Sequence, residues 1–516
     1  MSDWSQGYAT ALPYTYGFHR ELAPTLLRTA LLAQGVLHGA ATQSYRFCEL
    51  GCGRGLDCNI LAAANPGSEF WGADFNPAHI ADARELARAA GSGNVHFFEA
   101  DFDGFGQQDL PDFDFIALHG VYTWVSPENR QAIARFIAEH LRPGGVVYLS
   151  YNALPGWAQL QPLGRLIHEL VDAGSGPIDA RVTGAVRLAG QLRNVDAHYF
   201  RANPQAGPLL DDVAQRGDAY IVHEYCNRDW TPLFHADVAR AMAAIKLEFA
   251  TSADLRDHVE SLDLTPEQAA LVRGAATSSQ REMLRDFLVQ RRLRRDVYVK
   301  GVRELPHAAA QALWAELRLA LVVPRNAVPD TVAGAAGSMR LAPETHAPIL
   351  DRLARGSVTV AALCAADARI AALETSVLRE AVLLLIGAGF VEPCPPVDGD
   401  AARAVGTRRL NRAILERARW SGDIQYLASP VTGSGVSVAR HDQLFLLAGL
   451  ERQADATGFV ASALAAQGVQ LVRDGRVLTA DAEISDELRA RHRRYLGESL
   501  PVLQQLGIAD TQLGQV

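Results

Sequence analysis

Residues 45–55 read Tyr45-Arg46-Phe47-Cys48-Glu49-Leu50-Gly51-Cys52-Gly53-Arg54-Gly55, an apolar run that ends on an acid and breaks into three alternate glycines. The run predicts a buried strand and the glycines a tight turn into a helix. Glycine suits such a turn because it lacks a side chain and admits positive φ where backbone must approach a ligand closely. The helix that follows brings unpaired N–H groups to the same place. The spacing differs from the dinucleotide-binding G-x-G-x-x-G, because Leu56 stands where its third glycine would be.

Two acids extend the pattern. Glu69 to Asp74 and Val95 to Asp101 read as further strands, each ending on an aspartate. Asp74 is placed to accept from two sugar hydroxyls with its two oxygens, and Asp101 from a ring amino group. Phe75 and Phe102 follow these acids, and Phe102 can pack on the same ring. Another strand fits 113–119, a helix 127–141 and a fifth strand 146–150. Strands alternating with helices predict an α/β fold with a Rossmann-like parallel sheet that binds ligand at its carboxyl edge.

The alternation then lapses. Residues 155–217 read as a helical, Gly/Ala-rich insertion over that edge, a lid or a dimer contact. The sheet is expected to resume with a strand at 219–225 and another at 247–250, and to close with 296–300. This divides the chain into a ligand-binding domain (1–154 and 218–303), the insertion, a helical and winged-helix-like domain (304–405) and a mainly helical C-terminal domain (406–516). A chain of 516 residues exceeds what one core usually supports, so several domains are expected.

Composition excludes more than it selects. With 48% hydrophobic and 21% charged residues the chain can bury a sizeable core. A net charge of −9 gives no general attraction to phosphate backbones, and nucleic acid is not expected as a partner. The opening residues lack a basic stretch followed by an apolar one, and no apolar run reaches bilayer length, so a cytoplasmic protein without membrane insertion is expected. Cys48, Cys52 and Cys58 fall on a strand end, a turn and a helix, and read as small buried residues, with no metal expected.

The glycine turn with its acids resembles the class I S-adenosylmethionine-dependent methyltransferases, whose first strand ends in E/D-x-G-x-G-x-G. The resemblance implies S-adenosylmethionine as cofactor, with Glu49, Gly51, Cys52, Gly53, Gly55, Asp74, Phe75, Asp101, Phe102 and His119 around it. The stretches His119 to Val125, Ser150 to Trp157, His223 to Tyr225, Asp286 to Leu288 and Asp296 to Gly301 are similar to bacterial methyltransferases that carry a methyltransferase regulatory domain. That similarity implies a methyl acceptor as partner, with protein lysine as one candidate. A small-molecule acceptor, or a non-catalytic S-adenosylmethionine sensor, is the alternative. A homodimer is a further expectation.

Methyl transfer is an in-line displacement, so the protein must align nucleophile and methyl group and exclude water. The ends of the fourth and fifth strands offer His119, Tyr122, Trp124, Tyr151 and Asn152 as candidate catalytic residues. Tyr14, Tyr16, His223, Glu224 and Tyr225 are candidates for the acceptor side. His119 is followed by Gly120-Val121-Tyr122 and not by the Asn-Pro-Pro-Tyr of enzymes acting on adenine or glutamine, which argues against those acceptors.

Overall fold

Phe47, Cys48 and Leu50 have no exposed surface, because strand β1 (Arg46–Leu50) lies in the middle of a seven-stranded sheet. The computed structural model describes residues 4, 5, 7, 8, 14–39 and 44–510; of the opening stretch, residues 1–3, 6 and 9–13 lie outside these. The other strands are β2 (Glu69–Asp74), β3 (Val95–Glu99), β4 (Phe113–Leu118), β5 (Leu141–Asn152), β6 (Leu247–Ser252) and β7 (Leu293–Lys300). Their order across the sheet is β3-β2-β1-β4-β5-β7-β6. Strands β1 to β5 are mutually parallel, whereas β7 runs antiparallel to both β5 and β6. The sheet is therefore mixed, and β7 inserts beside β5 instead of closing the edge, which β6 forms.

Helices α1 (Pro24–Ala33), α2 (Leu56–Ala64), α3 (Pro77–Ala90) and α4 (Pro127–His140) belong to the same half of the chain. Asn76 and Ser126 cap α3 and α4 by accepting from Ala78 N and Asn129 N, and each helix carries proline in its first turn. The order reverses between β1 and β4, and the carboxyl ends of these strands open a crevice there.

The helical stretch after β5 contains α5 (Gln161–Asp172), α6 (Ile178–Asn194) and α7 (Ala206–Gln215). The strand expected at 219–225 is instead helix α8 (Asp218–Tyr225). Its β-branched and aromatic content reads as strand, but its apolar residues recur at helical spacing. Ile221, Val222 and Tyr225 bury themselves among Leu163, Ile167 and Val182 of α5 and α6. Tertiary packing overrides local preference here.

Beyond β7, helices Pro343–Leu353, Val360–Ala366 and Thr375–Gly387 pack around a three-stranded antiparallel sheet of Arg318–Leu321, Val358–Thr359 and Val391–Cys394. Helix α9 (Asp400–Arg417) then returns to the main sheet domain and lies on α2 and α3. At that crossing a Cβ on Gly406 would stand 2.4 Å from the Ala63 carbonyl oxygen, so glycine allows the two backbones to touch. Leu410, Ile414 and Leu415 of α9 share one core with Leu61 and Phe70. No helix among the described residues is long and apolar enough to cross a membrane.

Candidate active site

The glycine turn is built by three positive-φ glycines, Gly51, Gly53 and Gly55 at φ of 73°, 52° and 68°. They do different work. Gly51 N and Cys52 N both donate to Ala73 O, folding the turn over the end of β2. A Cβ on Gly55 would stand 2.5 Å from the Ala83 side chain, so Gly55 lets α2 pack on α3 and does not face ligand. At Gly53 the nearest atom to such a Cβ is Tyr14 Cδ1 at 3.9 Å, and the position borders open cavity. A ligand can therefore approach the backbone at Gly53.

Asp74 closes the turn from the end of β2. Its Oδ2 accepts from Gly53 N at 3.0 Å, and its Oδ1 accepts from Asn76 N at 2.9 Å and lies 3.2 Å from His79 Nδ1. Asp101 caps the short helix Phe102–Gly106 by accepting from Gly104 N. Both carboxylates line one cavity with Tyr8, Tyr14, Phe75, Phe102, Trp124 and Glu224. Such a cavity, with glycine backbone on one wall and acids and rings on the others, fits a nucleoside-bearing cofactor.

A second, smaller cavity holds Glu49, Cys52, Tyr16, His19, Arg54 and Asp57. The two cavities share Tyr14, Gly51, Gly53 and His119. Burial, with Asp57 next in effect, pushes the Glu49 carboxyl well above its usual range, and the Cys58 thiol donates to it at 3.1 Å.

His119 stands at the junction. Its Nδ1 is 2.9 Å from the Tyr148 hydroxyl, and its ring stacks on that of His19. Burial lowers its pKa well below that of an ordinary histidine, with His19 and Arg295 adding to the effect. It is neutral at physiological pH. In the larger cavity, burial raises the Glu224 carboxyl to about 7, and burial with neighbouring Glu224 raises the Tyr14 hydroxyl. Trp124 stacks on Trp230 with ring centroids 5.6 Å apart. The rings of Tyr8 and Tyr14 both lie against His223, at 5.6 and 5.0 Å.

Most of the residues expected from sequence divide between the two cavities. Gly51, Gly53, Asp74, Phe75, Asp101, Phe102, His119, Trp124, Tyr14, His223 and Glu224 come together around the larger cavity. Glu49, Cys52 and Tyr16 reach only the smaller one.

Tyr122, Tyr151 and Asn152 line neither cavity. Side chains alternate along β5: Tyr148 and Ser150 face His119 and Gly120, so Tyr151 points to the other face and donates to Asp296 at 2.7 Å. Tyr122 is buried in the core on that face. Asn152 N donates to Thr123 Oγ1, and the residue ends the strand. Tyr225 lines a separate depression with Trp230. The residues that sequence reasoning missed are Tyr8, His19, Asp57 and His79. Only Asp57, an acid in the first turn after the glycines, carried a local signal.

Known proteins agree with this geometry. Residues 48–147 match the family described as "Methyltransferase domain", and residues 217–300 match "Predicted methyltransferase regulatory domain". The uncharacterised protein sll1526 of Synechocystis is 36% identical over 507 residues, 98% of this chain and all of that one. The Rickettsia prowazekii protein RP028 is 26% identical over 44% of this chain and 90% of its own length. Among solved structures, PKMT2 of Rickettsia typhi in complex with AdoHcy superposes with a TM-score of 0.68 at 16% identity, covering 96% of this chain and 100% of that one. The chain belongs to the family of the Synechocystis protein and is a class I S-adenosylmethionine-dependent methyltransferase that carries a methyltransferase regulatory domain.

Proposed function

We propose that the methyl acceptor is an amine, the ε-amino group of a protein lysine. The observation that carries this reading is that several aromatic rings and the Glu224 carboxyl line the same cavity. Tyr8, Tyr14, Trp124 and His223 line the larger cavity together with Glu224. Aromatic faces attract an ammonium group. An ammonium nitrogen has no lone pair, and a carboxylate poised near neutrality is suited to remove its proton. The resemblance of His119 to Val125 and Ser150 to Trp157 to bacterial methyltransferases that carry a regulatory domain, a group that includes protein-lysine methyltransferases, supports the same acceptor.

S-adenosylmethionine, when bound, supplies a methyl group on a sulfonium sulfur. Asp74 is suited to hold ribose hydroxyls, Asp101 and Phe102 to hold the adenine, and Gly53 to admit the ligand against backbone. Glu224 takes one proton from the incoming ammonium, which frees the nitrogen lone pair for attack. Neutral His119, fixed by Tyr148, presents a polar edge without a competing charge. Residues 155–217 act in this reading as an insertion that supports α8 from behind, through the cluster holding Ile221 and Val222, and so presents His223 and Glu224 to the cavity.

The test is transfer of label from methyl-labelled S-adenosylmethionine into fractionated cell lysate, followed by hydrolysis of the protein. Methyl-lysine is the expected labelled product. Label confined to small molecules, or to another amino acid, overturns the acceptor.

A further inference from the structure

The glycine turn carries only two side chains, Cys52, which is buried, and Arg54. The glycines on both sides of Arg54 have positive φ. The turn is tied to β2 through Ala73 O and Asp74, and other parts of the chain hold it by gripping Arg54. Three parts of the chain do so. Asp82 of α3 accepts from Arg54 Nε at 2.7 Å. Tyr14 O accepts from its Nη1 at 3.4 Å, and the Tyr16 ring lies 3.7 Å beneath the guanidinium. Asp423, just beyond α9, stands 4.0 Å from Nη1.

The same ring is also reached from the C-terminal region. The Arg417 guanidinium lies 5.1 Å from the Tyr16 centroid and is fixed by two hydrogen bonds to Asp423, at 3.0 and 2.7 Å. Tyr16 thus contacts two guanidinium groups, whose mutual repulsion Asp82 and Asp423 offset. Only 8% of Tyr16 is exposed, and it lines the smaller cavity beside Gly51 and Gly53. One residue pair further along, Phe18 meets Tyr426 with ring centroids 5.6 Å apart, so the contact continues beyond a single side chain.

We propose that Arg417 and Asp423 are positioning residues for the cofactor, acting through Tyr16 and Arg54 on the glycine turn, so that the region after residue 400 is part of the cofactor site. This separates that region from any role in acceptor recruitment: removing the clamp weakens the cofactor complex with no acceptor present. The inference rests on the cofactor assignment and is independent of the lysine reading.

The test is calorimetric titration of the full chain with S-adenosylhomocysteine. Arg417→Met, Asp423→Asn and Tyr16→Leu are expected to raise Kd about tenfold, the scale of one partly buried cation–π contact. Tyr16→Phe, which keeps the ring beside both guanidiniums, is expected to recover most of what Tyr16→Leu loses. Arg412→Gln, which breaks its pairs with Glu416 on the same helix and with Glu451, serves as control and leaves Kd unchanged. Melting temperatures are recorded for each variant. Wild-type affinity in Arg417→Met and Tyr16→Leu overturns the proposal. If Arg417→Met does not fold, the two Tyr16 variants decide, and equal affinities for Tyr16→Leu and Tyr16→Phe overturn it.

Discussion

The imidazole rings of His19 and His119 stack with centroids 3.7 Å apart and planes 23° from parallel. Two positive charges at that separation repel in a partly buried site, and the surroundings divide the proton between the rings. Burial would lower the His19 pKa, but Asp57, 2.9 Å from its Nδ1, overrides this and raises it. Burial and the charge on His19 lower that of His119. Stability contributed by His19 is fully present below the unfolded value of about 6.5 and is lost as pH rises through the folded one. For His119 the cost is absent at high pH and grows as pH falls below about 6.5. In an NMR titration of the ring protons, His19 is expected to titrate above an ordinary histidine and His119 to stay neutral through mildly acidic pH. Asp57→Asn should bring His19 down below the ordinary value; an unmoved His19 would refute the pairing.

Glu224 sets the second expectation. Its carboxyl, raised by burial to about 7, must be ionised to accept a proton. With an amine acceptor, kcat/KM should therefore fall on the acid side of about pH 7. Glu224→Gln should remove that limb and lower kcat/KM by roughly 10²- to 10⁴-fold, the usual span for a lost general base. A pH profile of the variant that keeps the wild-type acid limb assigns the limb to another group.

Asp74 holds the glycine turn, since Gly53 N and Asn76 N both donate to it, and in the proposed function it also holds the cofactor's ribose. Ligand at about 100 times Kd stabilises a native state by about 2.7 kcal/mol. Asp74→Ala should abolish the rise in melting temperature that S-adenosylhomocysteine gives the wild-type chain. Retention of that rise would remove Asp74 from the cofactor site.

The parts of the site that could be read from sequence are those fixed by neighbours in the chain. Gly51, Gly53, Asp74 and Asp101 announce themselves because a strand end and its turn are local structures. His19 and Tyr8 do not, because they enter the site from a segment with no periodic pattern, held by contacts to Asp57 and to Phe75 far along the chain. Residues 219–225 were misleading for a different reason: Tyr220, Ile221 and Val222 favour strand by type, while the partner that makes them helical is a cluster supplied by α5 and α6. The mixed sheet was illegible likewise, because nothing local in β7 specifies that it pairs antiparallel between β5 and β6.

Tyr151 shows what one step of strand parity costs. Proximity to the end of β5 suggests catalysis, yet its hydroxyl donates to Asp296 in a network that also holds His235, Tyr298 and Arg294. Burial would raise the Asp296 carboxyl, but Arg294 and His235 override it and hold it well below the usual range. Its contribution to stability is therefore present above about pH 4 and lost as pH falls through the lower, folded value. Tyr151→Phe removes one of several hydrogen bonds to this charge and should cost about 1–2 kcal/mol in denaturant unfolding, while leaving kcat/KM for methyl transfer within about twofold of wild type. A large fall in kcat without loss of stability would return Tyr151 to the reacting groups, and would require β5 to present the other face of its pleat to the cavity.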